Sequence, residues 1–187
     1  MAITRLGGAN AITGTIPTSV GGTGSTAATL PASLINNTSI GNITALPAGV
    51  GGKVLQVVQG THASQDNFST TSYQASATDV TITPSSTSSK ILVFYTSDFY
   101  IENADAGWEH TLYRDSTNLG STNGFGSTRA DVPDTAFQIA VNFLDTPNTT
   151  SATKYEFYVR RIEGSGNLYL NGNNSTSVIT AMEIAGW

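Results

Sequence analysis

From Lys53 onward, apolar and polar residues alternate in short runs that turn-forming groups interrupt, and a period of two is that of a half-buried β-strand. In residues 154–162 the alternation sets Tyr155, Phe157, Val159 and Arg161 on one face, with Glu156, Tyr158 and Arg160 on the other. The same reading predicts strands near 54–59, 80–83, 91–99, 109–114, 137–145, 154–161, 168–170 and 178–184, with a further short one around 68–73. In the last full strand it turns Met182 and Ile184 inward and Glu183 outward. Pro84 with Ser85-Ser86, Asp115-Ser116, Pro147-Asn148 and Asn171-Gly172-Asn173-Asn174 supply the turns.

Composition narrows the class further. Only 11% of the 187 residues are charged, against about 25% in an ordinary globular protein. Ser, Thr, Asn and Gly carry the polarity instead, and they favour strands and turns over exposed helices. Little helix is expected. Seven to nine short strands in about 135 residues point to an all-β fold, a jelly-roll-like antiparallel β-sandwich over 53–187. It is preceded by an extended N-terminal segment, 1–52.

That segment is of another kind. It has three prolines, many glycines, no aromatic residue and no acidic one, and isolated apolar residues recur through it, among them Leu6, Ile12, Ile16, Val20, Leu30 and Ile40. It cannot offset its own ordering entropy by burial. Two readings stand: a strand that becomes ordered on a sister chain or docking surface through those residues, and a plain linker.

Charge and cysteine usage exclude several functions. Residues 66–187 hold six basic and thirteen acidic residues, a formal charge of −7, which repels phosphate backbones; no nucleic acid partner is expected. With no Cys, disulfides and thiolate metal sites are excluded. No signal peptide is predicted, because Arg5 precedes no apolar core, and no apolar run approaches the ~20 residues of a membrane span.

Five phrases resemble the C-terminal domain of fibre-like proteins of tailed bacteriophages, marine ones in particular. They are Gly52-Lys53-Val54-Leu55-Gln56-Val57-Val58; Ile82-Thr83-Pro84-Ser85-Ser86-Thr87-Ser88-Ser89-Lys90-Ile91-Leu92-Val93; Tyr113-Arg114-Asp115-Ser116-Thr117; Phe143-Leu144-Asp145-Thr146-Pro147 with 149–155; and Ile179-Thr180-Ala181-Met182-Glu183-Ile184. The resemblance implies a β-sandwich, commonly homotrimeric, carried on a virion by a variable N-terminal segment. The implied partners are the chain itself and other virion proteins, of the tail or baseplate or the major capsid protein. The implied location is the virion, after synthesis in a host cytoplasm. A capsid decoration clamped to the shell by residues 1–52 is the rival to a short fibre.

No catalytic centre is expected. His62 and His110 are the only imidazoles and no Gly-x-Ser-x-Gly elbow occurs. Glu102, Asp105 and Glu109, or Asp131 and Asp134, could serve a depolymerase only as paired carboxylates at a fixed separation. Asp98, Glu102, Asp105 and Glu109 could surround a hard cation, yet lack EF-hand spacing, so neither metal nor other cofactor is expected. Aromatic residues in polar loops are more informative, since sugars stack on aromatic faces beside hydrogen-bonding groups. Tyr100, Trp108, Phe125 and Tyr169 lie in or beside 99–108, 117–135 and 163–176 and form the candidate receptor-binding set for a host-surface glycan. The alternative for each is packing at the edge of the core.

Overall fold

The computed structural model describes residues 54–172 and 174–186. The apolar residues proposed for attachment, Leu6 to Ile40, lie outside that range. Among the described residues every regular element is a strand: β1 (Val54–His62), β2 (Asp66–Phe68), β3 (Gln74–Ile82), β4 (Lys90–Ile101), β5 (Ala106–Arg114), β6 (Thr117–Asn118), β7 (Gly126–Ala130), β8 (Thr135–Asp145), β9 (Thr153–Glu163), β10 (Leu168–Leu170) and β11 (Ser177–Ile184).

They form two antiparallel sheets. In the first, β4 carries β8 along one flank, and β11 and then β10 end to end along the other; β1 pairs with β11 and β2 with β10. In the second the order is β3, β9, β5, with β6 and β7 both on the far flank of β5. Leaving aside the three shortest strands, the sheets run β1-β11-β4-β8 and β3-β9-β5-β7. This order is the pair of interleaved Greek keys of a jelly roll, as the sequence predicted.

The core lies between the sheets. Tyr155, Phe157 and Val159 are fully buried, as their alternation requires. Phe157 of one sheet stacks on Tyr95 of the other at 3.8 Å between ring centroids, and Phe99 meets Phe157 edge-on at 6.0 Å. One side of the sandwich closes where β1 approaches β3 so tightly that a Cβ on Gly60 would stand 1.9 Å from the Asp79 carbonyl oxygen. The other side is plugged by Phe125 against Phe143, ring centroids 5.1 Å apart.

The phase of β11 is opposite to that predicted. Ile179, Ala181 and Glu183 are fully buried, while Met182 and Ile184 lie half-buried on the outer face. A carboxylate tolerates burial only where donors replace its water, and Glu183 has them. Its Oε1 accepts from Ser85 N at 2.7 Å, Ser85 Oγ at 2.6 Å and Ser89 Oγ at 2.7 Å, and its Oε2 from Gln56 Nε2 at 2.6 Å. The polar connection from β3 to β4 is thus wrapped around one buried anion.

Burial pushes the Glu183 carboxyl up, but those donors outweigh it and hold it at about 2, below the usual 4.5. A depressed carboxyl stabilises the fold above its unfolded pKa, and the contribution fades as pH falls from about 4.5 towards 2. Glu183→Gln is therefore expected to cost about 2 kcal/mol at pH 7. In urea unfolding, the gap between variant and wild type should close as the pH is lowered to about 2.5.

Candidate functional site

The hairpin from β4 to β5 is made by residues 102–105, with Asp105 in the left-handed region (φ 55°). Beside it, β10 delivers Leu168 and Leu170 to the core and turns Tyr169 outward. Tyr169 pairs in register with Tyr100 of β4, whose neighbours Phe99 and Ile101 are likewise fully buried. Paired residues share a face, so Ala136, Tyr100, Tyr169 and Asn67 form a row across β8, β4, β10 and β2 on the outside of the first sheet.

The two tyrosine rings stand 5.8 Å apart and are inclined at 48°. Together with Gln65, Glu102 and Gly172 they line an open depression of about 410 Å³. Gly172 forms part of its wall: a Cβ there would meet Tyr100 Cβ at 3.5 Å, Gln65 Nε2 at 3.6 Å and Tyr169 Cβ at 3.6 Å, all ordinary van der Waals contacts. Polar groups surround the rings. Tyr100 Oη donates to Asp134, and that carboxylate raises the Tyr100 hydroxyl above its ordinary value. Glu102 Oε2 accepts from Asn167 N at 3.3 Å and Asn167 Nδ2 at 3.2 Å; Asn167 Nδ2 also donates to Tyr169 Oη at 3.1 Å. The result is two inclined aromatic faces rimmed by carboxylates and amides.

The depression lies towards the end of the sandwich opposite the start of β1. Val54 pairs with Ile184, and Ile184 with Lys90. Tyr100 is ten residues further along β4, about 34 Å at ~3.4 Å per residue.

Of the four aromatic residues proposed from sequence, the fold brings Tyr100 and Tyr169 together and sends the other two elsewhere. Trp108 is not in a loop. It lies inside β5 with no exposed surface, so its ring has no face for a ligand. Phe125 is half-buried against Phe143 and packs at the edge of the core. Gln65 and Asn167 carry no signal in the sequence, and Gly172 reads there only as part of a turn. They meet the tyrosines only through the pairing of β2 and β10 with the end of β4, which no local pattern announces.

Several of the acidic residues are committed to partners within the fold. Asp98 Oδ1 accepts from Asn171 N at 3.0 Å and from Ser175, Glu109 pairs with Arg160 at 2.6 Å, and Asp105 lies 3.3 Å from Arg129. Asp105, Asp131 and Glu163 share the one guanidinium of Arg129, and among the described residues no three His, Asp or Glu side chains are grouped so that they could hold a metal ion. His62 pairs with Asp66 at 3.2 Å. His110 is buried in β5 against Phe157 and Phe99, with burial lowering its pKa. A second aromatic group, Tyr113 stacked on Tyr158 at 4.0 Å with Arg160 over Tyr73, lies on the second sheet with its rings turned to one another.

The described residues thus form an all-β sandwich with an aromatic, acid-rimmed depression at the end of its first sheet. No family model and no curated protein matches the chain. Among solved structures it is similar to the T13 viral particle of infectious bursal disease virus (IBDV), at 13% identity and TM-score 0.42, over 70% of this chain and 36% of that one. It is also similar to the VP2 subviral particle of the same virus, at 14% identity and TM-score 0.38, over 70% and 37% of the two chains. The present chain therefore spans little more than a third of the length of those chains.

Proposed function

We propose that this chain is a non-enzymatic structural protein of a tailed-phage particle, a short trimeric fibre or appendage whose outer end adheres to host-surface carbohydrate. The resemblance of five ordered sequence phrases to phage fibre domains supports the particle and the trimer. The observation that carries adhesion is the Tyr100–Tyr169 depression, placed far from the end where β1 begins. Residues 1–52, which precede β1 in the chain, attach it to the particle. Each contact is weak, and three copies per trimer with many trimers per particle raise it to useful avidity.

Binding to host polysaccharide tests this reading. Tyr100→Ala and Tyr169→Ala each remove one stacking face and are expected to weaken binding about tenfold, with the thermal midpoint close to that of the wild type. Undiminished binding in both variants would count against the site.

A capsid decoration remains the second reading, and one observation favours it. On the outer face near Val54 an apolar row crosses all four strand positions: Val57 pairs with Met182, Met182 with Leu92 and Leu92 with Leu144. Val57 is 56% exposed and Leu144 46%, a band suited to lying on another protein. Immunogold label of residues 53–187 on the tail would favour the fibre; label spread over the head would favour the decoration.

A further inference from the structure

The depression offers a ligand an unbalanced set of partners. Among the described residues its lining holds two aromatic faces, one amide side chain in Gln65, one carboxylate in Glu102 and no cationic side chain. A second carboxylate, Asp134, is anchored at its rim by Tyr100. The acceptors are not fully used. Glu102 Oε2 is taken up by Asn167, but Oε1 receives Tyr169 Oη only at 3.5 Å, well beyond the ~2.7–2.8 Å of a good O–H···O bond. Asp134 is an exposed residue, and its bond from Tyr100 occupies Oδ1. Each carboxylate therefore retains an oxygen able to accept from a ligand. The aromatic faces favour a ligand with an apolar C–H face, and the vacant acceptors favour one whose polar edge consists of hydroxyl donors.

From this geometry we infer that the site selects neutral hexopyranose units, stacked on Tyr100 and Tyr169 with hydroxyls donated to Glu102 and Asp134, and rejects acidic sugars. The inference rests on the carbohydrate reading above and adds the class of sugar. A uronate, sialate or sulfate group entering the depression would stand within several ångströms of Glu102 and Asp134, with no cation among the described lining residues to neutralise it. Like charges at about 5–6 Å repel enough, between surface and bulk dielectric, for roughly tenfold discrimination. The formal charge of −7 on residues 66–187 repels polyanions at longer range as well.

The test is binding of the full-length protein to immobilised neutral oligosaccharides (glucose-, galactose- and mannose-terminated) and to uronate-, sialate- and sulfate-bearing counterparts, at low and high salt. The expected result is binding of at least one neutral class about tenfold tighter than its acidic counterpart. The preference should narrow in Glu102→Gln and as salt rises. Gly172→Leu, which fills the depression from its wall, should abolish binding while the circular-dichroism spectrum and melting midpoint stay near those of the wild type. Equal or tighter binding of the acidic series would overturn the neutral-sugar inference and leave the carbohydrate reading standing. No binding of either series, with Tyr100→Ala and Gly172→Leu indistinguishable from wild type, would overturn both.

Discussion

A Trp108→Ala variant of the full-length chain is expected to melt roughly 12–15 °C below the wild type, a loss of about 4 kcal/mol. Trp108 is the largest of the fully buried side chains and sits in β5, between β7 and β9. Its removal empties a volume that two hydrogen-bonded sheets cannot collapse to fill, so the cavity adds to the lost transfer energy. Its indole N–H is buried without a hydrogen-bond partner among the described residues, which predicts that Trp108→Phe keeps most of the stability. A surface tryptophan used for ligand contact would behave oppositely, losing binding in the alanine variant and keeping the melting temperature. Differential scanning fluorimetry on the two variants separates the cases.

The second large effect is expected at Asp145, the last residue of β8. Arg114 Nη1 lies 2.9 Å from both of its carboxylate oxygens, and Tyr155 Oη donates to Oδ2 at 2.7 Å. Burial, and then the bond to Asp145, hold the Tyr155 hydroxyl far above the ordinary phenol range. The group joins the first sheet, through β8, to β5 and β9 of the second. Asp145→Ala leaves a buried phenol and a largely covered guanidinium without their acceptor and is expected to cost about 3 kcal/mol in urea unfolding. Replacing both charges, as in Arg114→Met with Asp145→Leu, should recover at least half of that, because the desolvation penalty of the pair disappears with it. A double variant no better than Asp145→Ala would show that shape at this junction, and not charge pairing, sets the cost.

These two residues also mark how far the sequence could be read. Asp145 was placed correctly at the end of a strand, because β8 alternates strictly between exposed Ala136, Gln138, Ala140 and Asn142 and inward Phe137, Ile139, Val141 and Phe143. The sequence puts Trp108 in or beside a polar loop because β5 is covered on both faces. Seven of its nine residues are buried, so it shows no alternation, and Gly107 beside the acidic turn 102–105 looks like irregular chain. β7 is illegible in the sequence for a different reason: Gly126, Ser127, Thr128 and Arg129 contain no large apolar residue, and β5 alone makes them a strand.

The phase of β11 failed for a third reason. Hydropathy alone turns Met182 and Ile184 inward, whereas four donors from Ser85, Ser89 and Gln56 draw Glu183 in, and those lie 94 to 127 residues away along the chain. The candidate site was legible only in its aromatic half. Tyr100 and Tyr169 could be chosen for their polar surroundings, but their union depends on β10 sharing one flank of β4 with β11.

The placement of that union at the far end of the first sheet has a mechanical consequence. A ligand held at Tyr100 and Tyr169 and an anchor preceding Val54 would pull the domain along the direction of its strands. Under such tension β1 slides against β11 with its backbone bonds from Gln56 to His62 loaded together in shear, instead of peeling open one after another as they would if pulled sideways. Rupture would then require many bonds to fail at once, which would suit the adhesive appendage proposed above.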